Sequence, residues 1–129
     1  MKTVLAILLL IPIASFAAEP LNCASPKTQL DMNICAAQSR DRAELNLQRI
    51  ESQYIERLDA NQTLLFASSQ QTWRQYRDAL CKFEASGGEG GSAYPETVAG
   101  CEEHVINERI KYMQELSTCK EGNYNCPVW

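Results

Sequence analysis

The twelve residues QQTWRQYRDALC, Gln70 to Cys81, place Trp73, Arg74, Tyr76, Arg77, Asp78 and Cys81 within nine positions. Such groups can do three kinds of work: a thiolate can act as a nucleophile, an aromatic pair can stack on sugars or bases, and an arginine can hold a carboxylate in a bidentate ion pair. Projection onto a helix separates them. Phe66, Ser69, Gln70, Trp73, Arg77 and Leu80 fall on one stripe, so Arg77 points inward with Trp73. Arg74 and Asp78 fall off that stripe and read as solvated, with Tyr76 on its flank. The periodicity favours a core tryptophan over a stacking platform.

Two more charges interrupt apolar stripes. Asp41 lies among Leu30, Ile34, Ala37 and Leu45, and Arg109 lies among Val98, Cys101, Val105, Tyr112 and Leu116. A buried charge must be paired. Asp41, Arg77 and Arg109 are therefore expected to form a buried polar cluster in which Asp41 meets one of the two arginines. The competing reading is a charged groove for a ligand.

Catalysis finds little support. His104 is the sole imidazole, off the apolar centre of its helix and beside no nameable nucleophile. Glu102 and Glu103 are adjacent and cannot both face one point on a helix. We expect no enzyme activity and no cofactor.

The six cysteines are Cys23, Cys35, Cys81, Cys101, Cys119 and Cys126. An even number in a short exported chain reads as three disulfides, which leaves no thiol nucleophile. Fifteen pairings are possible; neighbours in sequence suggest Cys23 with Cys35, Cys81 with Cys101 and Cys119 with Cys126. Zinc would need more than one histidine or a C-x-x-C pair, so no metal is expected.

The elements that must position these groups are helical. Ser25 ahead of Pro26, and Thr28 three residues ahead of Asp31, are start signals. From Thr28 to Leu58, Met32, Ala36, Ala43, Leu47, Ile50, Tyr54 and Leu58 line one face while the Asp41 stripe lines a second. Two apolar faces imply two neighbours, or one neighbour and a partner molecule. "DANQT" breaks the pattern, and a second helix runs from about Thr63 to Phe83 on the same periodicity argument. SGGEGGSAYPETVAG, with five of the six glycines, reads as a loop, and a third helix follows. The fold expected is all-α: a three-helix antiparallel bundle with disulfide staples and a Gly-rich loop between helices 2 and 3.

Lys2 followed by VLAILLLIPIASF and small residues reads as a signal peptide over residues 1–18, too short and too broken by Pro12 for a membrane anchor. EPLNC, with Pro20 and Asn22, does not suit a lipid anchor on Cys23. Residues 19–129 are then one domain, ending in a disulfide-held tail over 117–129. Loss of Lys2 leaves 11 basic against 16 acidic residues, a net charge of −5. No Lys and Arg cluster suits phosphate, which argues against nucleic acid. An acidic exported protein suits a basic protein partner better.

These residues also form an ordered pattern. C...T..D...C stands at Cys23, Thr28, Asp31 and Cys35, and D...LN at Asp41, Leu45 and Asn46. Q..W..YRD..C runs from Gln70 to Cys81, followed by GGS at Gly90 to Ser92, then Cys101 and Arg109. In this order the chain resembles the lysozyme-inhibitor family named after LprI, over nearly all of the mature sequence to about residue 116. The resemblance implies a secreted or periplasmic helical domain with two cystine bridges that binds and inhibits lysozyme. The hydroxyl residue usual between the last family cysteine and the arginine is here Ile106, and the Cys119 to Cys126 tail lies outside the pattern.

The expected function is thus a lysozyme-binding inhibitor, with no membrane attachment once the leader is removed. The loop from Gly87 to Pro95, carrying Glu89, Ser92 and Tyr94, is the expected contact surface, because tethered loops often carry recognition. The alternative is a non-enzymatic helical envelope protein that binds another periplasmic partner or itself. The sequence leaves the oligomeric state open.

Overall fold

A computed structural model describes residues 21–118, 120, 122–124, 126 and 127. Within them are three α-helices and no strand: α1 is Gln29–Ile55, α2 is Ala60–Ala85 and α3 is Tyr94–Ser117, with a 3₁₀ turn at Ser86–Gly88. The expected leader lies outside the described residues.

Each helix start is written locally. The Thr28 hydroxyl accepts from the Asp31 N–H at 3.0 Å, and the Asp31 carboxylate accepts from the Thr28 and Lys27 N–H groups at 3.0 and 3.1 Å. The Lys27 amide first, then the Thr28 side chain and the Thr28 amide, hold the Asp31 carboxyl below its usual range. Asp59 and Gln62 make the same reciprocal box for α2, so the helix begins inside the DANQT break. The third start departs from expectation. Pro95 in the first turn nucleates α3 at Tyr94, and Gly100 lies inside the helix, so only the first half of the glycine-rich stretch is a connection. One helical glycine costs about 1 kcal/mol, too little to displace a packed helix.

The core lies between α1 and α3. Ala43, Leu47, Ile50 and Tyr54 of α1 meet Ile106, Ile110 and Met113 of α3, with Leu58, Phe66, Trp73 and Leu116 packed around them. Leu47, Ile106 and Met113 are fully enclosed, each contributing roughly 1.5–3 kcal/mol of burial. The α1 half of this core is the stripe its periodicity gives. On α3 the buried stripe is Ala99, Ile106, Ile110 and Met113, while Tyr112 is half exposed and Arg109 lies at the edge. The second apolar face of α1 has no cover among the described residues: Leu30 and Leu45 are 66% and 65% exposed.

Polar contacts set direction. Gln29 donates to Glu96 at 2.7 Å, the Ser39 hydroxyl to Glu103 at 2.6 Å, and Arg57 to the Ser117 carbonyl at 3.2 Å. Partner numbers rise together, so α1 and α3, which share the core, run the same way. Across α2 and α3, Cys81 bonds Cys101 and Gln70 meets Arg109, so these two run opposite ways; beyond α3, Gln62 donates to the Pro127 carbonyl. Cys23 bonds Cys35, tying the residues before α1 to its second turn. The expected partner of Cys126, Cys119, lies outside the described residues.

Candidate partner-binding site

The motif of α2 occupies a single seam where the three helices meet. Gln70 is 4% exposed, and its carbonyl oxygen accepts from Arg109 Nε at 3.0 Å and from Arg109 Nη2. Its amide donates to the Met113 sulfur at 3.7 Å. One turn further, the Trp73 ring has three guanidinium groups over it, those of Arg74, Arg77 and Arg109, at 5.9, 5.5 and 5.4 Å from its centroid. Arg109 also lies 5.3 Å from the Tyr112 ring. Such contacts strengthen when partly desolvated.

Two of these arginines are neutralised from α1. Arg74 donates to Glu44 at 3.1 Å and to Glu51 at 2.9 Å, and Arg77 donates to Glu44 and to Asp78 at 2.9 and 2.7 Å. Burial pulls the Arg74 pKa down, but its bonds to Glu51 and Glu44 outweigh that and hold it above the usual value. Arg109 differs. Its hydrogen-bond partner is a neutral amide, and burial pushes its pKa below the usual value despite the fields of Tyr112 and Glu51.

This corrects the expected cluster. Asp41 is exposed and bonds its neighbour Arg40 at 2.7 Å, reaching neither Arg77 nor Arg109. The residue that meets Arg77 is Glu44, because α2 covers the flank of α1 about 60° round from Asp41. Arg74 is likewise drawn into the seam instead of standing in water. Glu44 and Glu51, seven residues apart, share one face of α1, and Glu44 meets both Arg74 and Arg77 while Glu51 meets Arg74; nothing in the sequence spacing singled out these acids. Trp73 is half-buried against the core and Tyr76 is 58% exposed.

Shallow grooves open on both sides of the Trp73, Arg109 and Tyr112 ridge. One, of about 410 Å³, runs between α2 and α3 past Tyr54, Phe66 and Leu116 to Pro127. The other, of about 420 Å³, lies on the disulfide side and is lined by Tyr76, Glu84, His104 and Glu108. The expected contact loop is short and held. Asn33 donates to the Ser92 carbonyl at 3.0 Å, Tyr94 is the partly buried first residue of α3, and Glu89 is exposed. Gly90, at φ 79°, takes the left-handed conformation the turn needs. Among the described residues no three His, Cys, Asp or Glu side chains converge to hold a metal ion, and no helix is long and apolar enough to cross a membrane.

These features define a small disulfide-stapled helical protein whose polar motif joins its helices, with two grooves and an exposed turn on its surface. The family described as lysozyme inhibitor LprI matches residues 22–113, and the chain belongs to it. The match spans α1, α2, most of α3 and both described bridges. An uncharacterized protein of Rhizobium meliloti (strain 1021) is 26% identical over 114 residues, covering 78% of this chain and 82% of that one. No solved structure matches.

Proposed function

We propose that this protein is an exported lysozyme inhibitor that acts by docking on the enzyme and not by chemistry of its own. The observation that carries this is the family match across all three helices. Two described disulfides suit an oxidising compartment outside the cytoplasm. The formal charge of −4, or −5 without Lys2, suits the strongly basic surface of common lysozymes.

The turn around Glu89 is our first candidate contact. It lies between the Cys81 to Cys101 bridge and the Asn33 bond, so docking would freeze little additional chain. The test is lysis of bacterial wall by lysozyme with excess purified protein at low and high salt. Inhibition that weakens as salt rises is expected; undiminished lysis at low salt ends the proposal.

A second reading, a helical envelope module that binds another protein or itself, is favoured by the uncovered Leu30, Ile34 and Leu45 on α1. Light scattering over a concentration series tests the self-association branch, which a constant monomer mass rules out.

A further inference from the structure

The groove that ends at Arg109 has the composition of a ligand site. Its walls are apolar, from Leu58, Leu65, Phe66 and Leu116. It follows α2 from Gln62 to Trp73, about 16 Å by helix rise. A space of about 410 Å³ lies within the size range of small-molecule sites. At its far end stands a cation. Four arginines are half-buried, and three of them, Arg40, Arg74 and Arg77, hold carboxylates. Arg109 alone among them has no carboxylate in contact among the described residues; Nε and Nη2 are spent on Gln70, and Nη1 has no hydrogen-bond partner there. Trp73 and Tyr112 flank it, with ring centroids 5.4 and 5.3 Å from its guanidinium carbon.

A half-buried guanidinium at the end of an apolar trough is complementary to a molecule with an anionic head and a hydrocarbon body. We propose that this groove binds a linear carboxylate of medium chain length, its head on Arg109 Nη1 and its chain along Leu65, Phe66 and Leu116. A neutral alcohol of equal length would bury the same chain but leave the cation unpaired. A cationic amphiphile would be repelled. The proposal is independent of the lysozyme reading, since this groove and the Glu89 turn are different surfaces.

The experiment is isothermal titration of the full mature protein with decanoate, below its micelle concentration, and with decanol. One-to-one saturable binding of decanoate is expected, with decanol at least about tenfold weaker, the worth of one charge-assisted hydrogen bond. Arg109→Gln should bring decanoate down to the level of decanol. Leu65→Glu, on an exposed wall position with little risk to folding, should weaken both ligands and carries the test with the decanol comparison if Arg109→Gln does not fold. Decanol binding as tightly as decanoate, an unchanged Arg109→Gln or Leu65→Glu, or no saturation with decanoate overturns the proposal. So does a stable dimer that decanoate does not dissociate, because a second copy would then fill the groove.

Discussion

Gln70 is the sharpest point at which to perturb the fold. It is the buried polar side chain among the described residues, and its one carbonyl oxygen serves both Nε and Nη2 of Arg109. Gln70→Leu keeps nearly the same volume and removes the acceptor, so it leaves a half-buried guanidinium with no hydrogen-bond partner. Bonds to a charged group contribute about 1.5–3 kcal/mol each. Arg109 keeps some access to water and can shift toward Glu51, so a loss of about 2 kcal/mol is the fair figure, not the sum of two full bonds. The weak contact from the Gln70 amide to the Met113 sulfur adds little. Arg109→Met removes the cation instead and strands only a neutral carbonyl oxygen, costing about 1 kcal/mol. In the double variant both polar partners are gone and an apolar contact replaces them. The two losses should therefore not add, and a coupling energy of about 1–2 kcal/mol is expected from the cycle. Urea unfolding of the four proteins, followed by far-ultraviolet circular dichroism, measures it. A Gln70→Leu variant as stable as the parent, or a coupling energy near zero, would refute the claim that this pair joins α2 to α3.

Three further outcomes follow from the same structure. Leu47→Ala, at a fully enclosed position between α1 and α3, should cost about 2–5 kcal/mol in the same urea assay, whereas Leu45→Ala on the uncovered face should change stability by less than about 0.5 kcal/mol. Replacing Cys81 and Cys101 together by serine frees a loop closed across 20 residues and should lower stability by about 3 kcal/mol, seen as a fall in the thermal midpoint. Asp31 has a folded pKa below its ordinary value of 3.8, so its contribution is complete above that pH and is lost as pH falls through the depressed folded value. Acid titration should fray the start of α1 in that window, and Asp31→Asn should flatten the response; hydrogen exchange at the first α1 amides reads both.

What the sequence made legible was what depends on near neighbours. Thr28 with Asp31, and Ala43 through Tyr54, are set by spacing alone, and the structure has them as expected. Cys23 with Cys35 and Cys81 with Cys101 are also neighbours in sequence, and they are bonded. What stayed hidden depended on how far one helix is turned against another. Asp41 and Glu44 are equally plausible partners for Arg77 on paper; only the docking of α2 chooses Glu44. On α3, Arg109 and Tyr112 sit in register with apolar residues because long amphipathic side chains can cover a core edge while their polar ends reach out. That register made the stripe facing α2 look like the centre, one position away from Ile106, Ile110 and Met113. Glycine density hid the start of α3, since Gly100 is tolerated once Pro95 has fixed the first turn.

The shared core of α1 and α3 has a consequence for how the chain comes together. Leu47 and Ile106, enclosed in one core, are separated by nearly half of the polypeptide, and α1 meets α2 through the ion pairs of Glu44 and Glu51 and the contact of Tyr54 with Phe66. Along the chain α1 comes first and its apolar mate last. Until that last helix docks, the opening helix has its ion pairs to α2 and the contact of Tyr54 with Phe66 but not its main apolar mate, so productive collapse should be a late, all-at-once event instead of a stepwise one.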